Sequence, residues 1–214
     1  MATMTRPPEP IAQHIILHNI SWTTYQRLLA EHEGRQSPRF VYDRGDLEIM
    51  VLSFEHEQFN RLLADIFTLI AVEMELEFTN AGSTTFNRQD LARGFEPDTC
   101  FYIEHADDIT GKKRIDLATD PPPDLVIEVD ITSPSLDKLP VYAAVGVPEV
   151  WHFDGERIVI LALTGDTYTA QDQSAAVPHL TSQQLSDFIS SSQQMKHVAW
   201  LRSIRDWARH QIGD

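Results

Sequence analysis

Cysteine is almost missing from this 214-residue chain: Cys100 is the only one. An intramolecular disulfide is therefore excluded, and there is no Cys/His spacing of the zinc-binding kind. That usage fits a reducing compartment, so a cytoplasmic protein is expected. Long apolar runs are missing as well, since no window approaches the roughly 20 apolar residues that a membrane span needs. Glycine-rich phosphate loops and nucleotide-binding fingerprints are also absent. Basic residues are scarce: 17 Lys and Arg face 32 Asp and Glu, a formal net charge of −15. Such an excess repels phosphate backbones at long range and argues against a general nucleic-acid binder. What is present is ordinary for a folded protein, with 42% hydrophobic and 9% aromatic residues, enough for a core that needs no staples.

Residues 1–20 are first Pro-rich and polar, then apolar at Ile15, Ile16 and Leu17, and read as a flexible leader. Residues 21–214 read as one domain. Ser21 or Thr23 can cap a short helix whose buried stripe is Tyr25, Leu28 and Leu29 and whose end is Gly34. A hairpin follows, with Asp43-Arg44-Gly45-Asp46 as its turn. From Ser53 to about Glu77, Phe59, Leu63, Ile66, Phe67, Ile70 and Met74 fall on one helical face. The opposite face, with Glu57, Arg61, Asp65 and Glu73, reads as solvated. The runs EFTNAG, TTFNR, DTCFYI and DLVIEV then read as the central strands of a sheet. Between the last two, residues 105–123 read as a long loop that no regular element crosses, because three consecutive prolines end it. A short helix from Lys138 to Val145 comes next, with Asp137 as N-cap and Gly146 after its end, then strands at EVWHFD and RIVILAL. Two helices close the chain, one opening at Thr181 and one from about Gln193 to Ile212. The whole reads as an α/β (α+β) fold.

Strand parity gives the run Asp124 to Asp130 its meaning. Leu125, Ile127, Val129 and Ile131 point one way into apolar packing, which sets Glu128 and Asp130 together on the other face. Asp98 enters another strand directly after Pro97. Each acid alone has an ordinary reading, Asp98 as a strand-entry turn and Asp130 as an acid leaving the core. Together with Lys138 at the next helix N-terminus they form a more specific series. Carboxylates held close cannot all ionise without a positive neighbour, and oxygen donors select a hard cation such as Mg²⁺ or Mn²⁺.

The segments SFEHEQFNRLL, EPDTCFYI and DPPPDLVIEVDITSPSLDKLPVYAAVGVPEVW resemble the Uma-two family of endonucleases, long catalogued as a domain of unknown function, within the PD-(D/E)xK nuclease superfamily. The resemblance covers nearly the whole chain from about Ser21, and GVPEVW is its most specific piece. It implies a restriction-endonuclease-like mixed central sheet flanked by helices, with the helix and hairpin before Ser53 as an N-terminal extension. It also implies Asp98 and Glu128 as metal ligands assisted by the main-chain carbonyl of Val129. The superfamily places Lys two residues after the second acid, where this chain has Asp130. Lys138, eight residues further on, is the natural replacement, leaving Asp130 as an extra ligand or as a group that orients Lys138 or a water. His56 lines up with the apolar face of its helix, so its ring faces the sheet, either as a core histidine or reaching the metal site.

The chemistry so implied is metal-dependent hydrolysis of a phosphodiester, with DNA as the expected substrate and a homodimer as the expected assembly. Ser133, Ser135 and Cys100 lie in no nucleophile motif. Two other functions are open: a binding or regulatory module that has lost catalysis, with Asp130 in place of Lys as its mark, and a carboxylate-pair hydrolase acting on sugars. Nucleic acid would have to be held by local patches. Lys112, Lys113 and Arg114 form one, and Arg202, Arg205 and Arg209 form another on the last helix.

Overall fold

The computed structural model describes residues 13–35, 37–131 and 136–212. Residues 1–12 of the expected leader, and Ser133 and Ser135, lie outside that set. The leader reading fails for the rest: Gln13–Leu17 is strand β1, paired antiparallel with β3 (Asp46–Val51). It is an edge strand, exposed over Gln13, His14 and Ile15 and half-buried at Ile16 and Leu17.

Helix α1 (Trp22–Glu31) starts where Ser21 accepts the Thr24 N–H, and it lays Tyr25 on the hairpin. Strand β2 (Arg39–Asp43) turns into β3 through Arg44 and Gly45, both at positive φ. That is the turn whose twist suits a two-residue hairpin, and Gly45 at φ +108° is where a side chain would be strained. The hairpin belongs to a five-stranded sheet in the order β1-β3-β2-β6-β5, with β5 at Phe86–Arg88 and β6 at Arg93–Phe95. One face carries Phe40, Tyr42, Leu47 and Ile49 against Tyr25 of α1. The other turns Arg39, Glu48, Met50 and His14 toward the rest of the molecule, as the pairs Arg39–Met50, Val41–Glu48 and His14–Met50 require.

The second sheet has six strands. These are β4 (Thr79–Asn80), β7 (Thr99–Tyr102), β8 (Leu125–Val129), β9 (Glu149–Phe153), β10 (Ile158–Thr164) and β11 (Thr167–Gln171). Their order is β11-β10-β9-β8-β7-β4, and β8 and β9 run parallel while the remaining neighbours are antiparallel. This is the mixed central sheet, while TTFNR, expected at its centre, lies in the other sheet as β5. Leu125, Ile127, Val129, Phe101, Trp151 and Phe153 pack against α2 (Phe54–Glu73), α5 (Ser182–Ser192) and α6 (His197–Ile212). Val126, Cys100, Tyr102 and Val150 pack the opposite way against α4 (Leu139–Val145) and the phenylalanines of β5 and β6.

Helix α2 stops short of the sequence expectation. Met74 caps it and Glu75 turns to φ +56°, so the chain leaves the helix before Glu77. Its acidic face is also less free than expected, because Glu57 pairs with Arg39 and Glu73 with Arg209 of α6. The long loop holds one helical turn, α3 (Ala106–Ile109), anchored where buried Asp124 accepts the N–H groups of Ile103 and His105 and pairs with the His105 ring. At the far end of β9, Glu149 is 2% exposed and binds the Trp151 indole, the Ser174 hydroxyl and the Ala175 amide. The acid of the GVPEVW segment thus has a structural task.

Candidate active site

Neighbouring strands create the site. The register of β7 and β8 sets Thr99 opposite Ile127 and Cys100 opposite Val126. Asp98 is the bend residue just before β7, and its Oδ2 accepts the N–H of Val129, which sets it beside Glu128 at the end of β8. Both acids are buried, at 2% and 4% exposure. Parallel pairing of Glu128 with His152 brings a histidine of β9 to the same face.

Each acid has its own set of partners. Asp98 Oδ1 is bound by the Arg39 guanidinium, while Oδ2 takes His56 Nε2 at 3.1 Å and the Val129 N–H at 2.9 Å. Arg39 also reaches Glu57 at 3.1 Å, and Asn60 of α2 donates to the Asp98 carbonyl at 3.1 Å. Burial alone would push the Asp98 carboxyl up, but the His56 hydrogen bond and the charges of Lys138, His56 and Arg39 hold it well below the usual carboxylate range. Glu128 Oε2 takes Lys138 Nζ at 2.5 Å, and Oε1 accepts the Tyr142 hydroxyl. Lys138 is the N-cap residue of α4, and Tyr142 stands one turn later, so a single helix supplies both donors. Burial works against charge on Lys138, yet Glu128 and Asp98 hold its ammonium above the ordinary lysine range. The Tyr142 hydroxyl is pushed up by burial and by Glu128.

Sequence reasoning missed Glu48, whose side chain is fully buried on the hairpin. Oε2 accepts the Leu136 N–H at 3.2 Å, His14 lies 3.9 Å from Oε1, and that oxygen has no hydrogen-bond partner among the described residues. Burial raises its carboxyl above the usual range, with Asp130 adding repulsion and Lys138 opposing the rise. Glu48, Asp130 and Lys138 therefore belong to one electrostatic cluster. Arg39, Tyr142 and His152 also went unread. Glu48 had a signal: it sits between Leu47 and Ile49 as Glu128 sits between Ile127 and Val129.

These groups surround a cavity of about 310 Å³, lined by His56, Glu128, Asp130, Lys138, Tyr142 and His152 among others. The basic loop is elsewhere. Lys113 and Arg114 line a second cavity beside the end of α1, with Arg114 on Glu33, and Lys112 pairs with Asp120. Neither the loop nor the α6 arginines, of which Arg209 is paired with Glu73, joins the acids.

The oxygen donors suit a hard divalent cation: Asp98, Glu128, Asp130 and Glu48, the last with a buried oxygen that has no hydrogen-bond partner among the described residues. Among the described residues, no three His, Cys, Asp or Glu side chains are grouped closely enough to ligate an ion as they stand. Positive charge at Glu128 and Asp98 comes instead from Lys138 and Arg39.

A mixed sheet with two buried acids side by side at the ends of neighbouring central strands, and a lysine at the start of the following helix, defines a restriction-endonuclease-like α/β protein. The chain belongs to the Uma2 family, described as "Putative restriction endonuclease", whose model matches residues 22–194. A solved structure from Anabaena variabilis ATCC 29413, titled as a putative nuclease of DUF820, has a similar fold. Its TM-score is 0.52 at 15% identity over 85% of this chain and 99% of that one. No curated protein matches the chain. Among the described residues no helix is long and apolar enough to cross a membrane.

Proposed function

We propose that this protein is a divalent-metal-dependent endonuclease that hydrolyses phosphodiester bonds of DNA at the Asp98–Glu128–Lys138 cluster. The observation that carries the reading is the closeness of two buried acids, Asp98 accepting the N–H of Val129 next to Glu128, with a buried lysine on Glu128 and a histidine on Asp98. Asp98 and Glu128, with Glu48, Asp130 and the Val129 carbonyl as further oxygen donors, would hold Mg²⁺ or Mn²⁺. Such an ion lowers the pKa of a bound water and offsets charge on the phosphate. Lys138, kept protonated by its acidic neighbours, offsets the charge that develops on the phosphate oxygens. His56, with Nδ1 buried and unpartnered among the described residues, is placed to hold a water or a phosphate oxygen. Arg39 and Tyr142 are positioning residues that fix Asp98 and Glu128.

One observation favours a second reading. Both oxygens of Asp98 and of Glu128 are already engaged by side chains and backbone, as in a nuclease fold kept as a binding module. Metal titration separates the two. For the enzyme, Mg²⁺ or Mn²⁺ raises the melting temperature with concentration and the rise disappears in Asp98→Ala. No response to either ion in the wild-type protein refutes the enzyme reading.

A further inference from the structure

The cavity leaves an incoming phosphate short of cations. Asp98 and Glu128 are 2% and 4% exposed, so a phosphodiester reaches them only by entering the recess of about 310 Å³. Lys138 is the only lysine or arginine lining that recess among the described residues, and its ammonium is already on Glu128. Much of the remaining wall is apolar, through Met50, Leu52, Leu136 and Leu139. In such a pocket a few polar groups fix the position of the ligand. Here they include three histidines, His14, His56 and His152.

His56 is engaged, since its Nε2 lies 3.1 Å from Asp98. The other two rings make no hydrogen bond to another described residue. They come from different sheets. His152 of β9 pairs in register with Glu128, one strand spacing of ~4.8 Å away and on the same face. His14 of β1 pairs with Met50 on the inner face of the hairpin sheet. Its Nδ1 is 3.9 Å from Glu48 Oε1, too long for a hydrogen bond, so that contact leaves the ring's donor unspent. Glu48 in turn acts on Lys138. The Lys138–Glu128 pair therefore has one imidazole beside it from the central sheet and another approaching it from the hairpin. A neutral imidazole carries one N–H, and either nitrogen can bear it. Two such rings bind an anion without adding charge to a site that has acids enough.

We infer that His14 and His152 hold the phosphodiester group of the substrate, one from each sheet, by donating N–H groups to its non-bridging oxygens while Lys138 stays on Glu128. This rests on the hydrolytic reading above and names the substrate contacts of that site. It also makes strand β1 a part of the binding machinery.

Two measurements test the inference. In the first, a thymidine dinucleotide, which carries one phosphodiester group, is added to the protein in chelator, and the imidazole nitrogens are followed by NMR. The signals of His14 and His152 are expected to shift, while those of His18 and His105, which do not line the cavity, stay in place. In the second, cleavage of a short DNA strand in Mg²⁺ or Mn²⁺ is compared among variants. His14→Ala and His152→Ala are each expected to raise KM about tenfold, the worth of one hydrogen bond to a charged group, with kcat little changed. Glutamine at either position keeps an N–H donor and should recover most of the loss. Melting temperatures show that the variants are folded. Stationary His14 and His152 signals, or an unchanged KM in both alanine variants, overturn the inference even if wild type cleaves DNA. Shifted signals without cleavage in either metal leave the inference standing and refute the hydrolytic reading.

Discussion

Lys138 and Glu128 depend on each other, which makes their variants informative in opposite ways. Lys138→Met leaves Glu128 buried beside Tyr142 with no cation in contact, and breaking a buried pair in this way costs about 3–5 kcal/mol. Urea melts of this variant beside wild type at neutral pH check that loss. Asp98 ties the site to pH. Its carboxyl is held below the ordinary value of about 3.9, so its contribution is complete above that value and disappears as pH falls through the folded value. Asp98→Asn should remove that part of the acid-unfolding limb, read by circular dichroism against pH. Glu128 was legible because period two decides where a strand's side chain points and His56 because period 3.6 does so on a helix, while Asp98 and Lys138 were legible from their order along the chain and from the family resemblance. Arg39 and His152 were not, because their places follow from which strands become neighbours, and nothing local to Arg39 says that it faces Asp98. Tyr142 is an intermediate case, one helical turn after Lys138, a spacing that was there to be used.

The hairpin and the starts of α1, α2 and α5 were read correctly, the helices from Ser21, Ser53 and Thr181 binding their own backbone, whereas α4 has Lys138 rather than Asp137 at its N-cap and α6 begins at His197 rather than about Gln193. Ser53 accepts the His56 N–H at 3.1 Å and so fixes the turn that presents His56 to Asp98. Ser53→Ala should cost about 1 kcal/mol in denaturant melts and reduce nuclease activity by more than that loss of folded protein explains. Strand β6 escaped notice because it is three residues long with Gly94 at its middle, a composition that weakens any strand signal. The glycine has a packing reason: a Cβ there would lie 2.7 Å from Asn87 Oδ1 and nearer still to the Tyr25 hydroxyl that donates to Asn87. Gly94→Ala should therefore split α1 from β5 and lower the melting temperature clearly, whereas alanine at exposed Gly165 meets no neighbour and is strained only by φ. The proline-rich loop yielded one helical turn because Asp124 supplies hydrogen bonds that no propensity reveals. The Asp124 contact also raises the His105 pKa. A histidine with a raised folded pKa stabilises fully below its unfolded value of about 6.5 and loses that contribution as pH rises through the folded value. His105→Ala should flatten that segment of the stability profile, measured by thermal melts across neutral pH.

For the whole molecule, the principal surprise is what lies between the two sheets. The sequence suggested an extension ahead of one central sheet. The structure instead folds β1, the hairpin and β6 into a second sheet whose inner face brings Arg39 and Glu48 to Asp98 and Lys138. Non-local pairing of this kind leaves no trace in periodicity, since the hairpin alternates in the same way wherever it docks. The formal charge of −15 also reads differently with the structure in hand. Arg39, Lys112, Arg114 and Arg209 are each committed to an acid, so a nucleic acid meets few available cations, few of its phosphates are neutralised, and its binding should fall only shallowly as salt rises. The central claim is that buried Asp98, Glu128 and Lys138 form a metal-dependent hydrolytic site. Cleavage of plasmid and single-stranded DNA by wild type and Glu128→Ala, in Mg²⁺ or Mn²⁺ and in chelator, tests it most directly. The account predicts cleavage by wild type with the ion alone, and none by Glu128→Ala or in chelator. Equal cleavage by the two proteins, or cleavage undiminished in chelator, would contradict it.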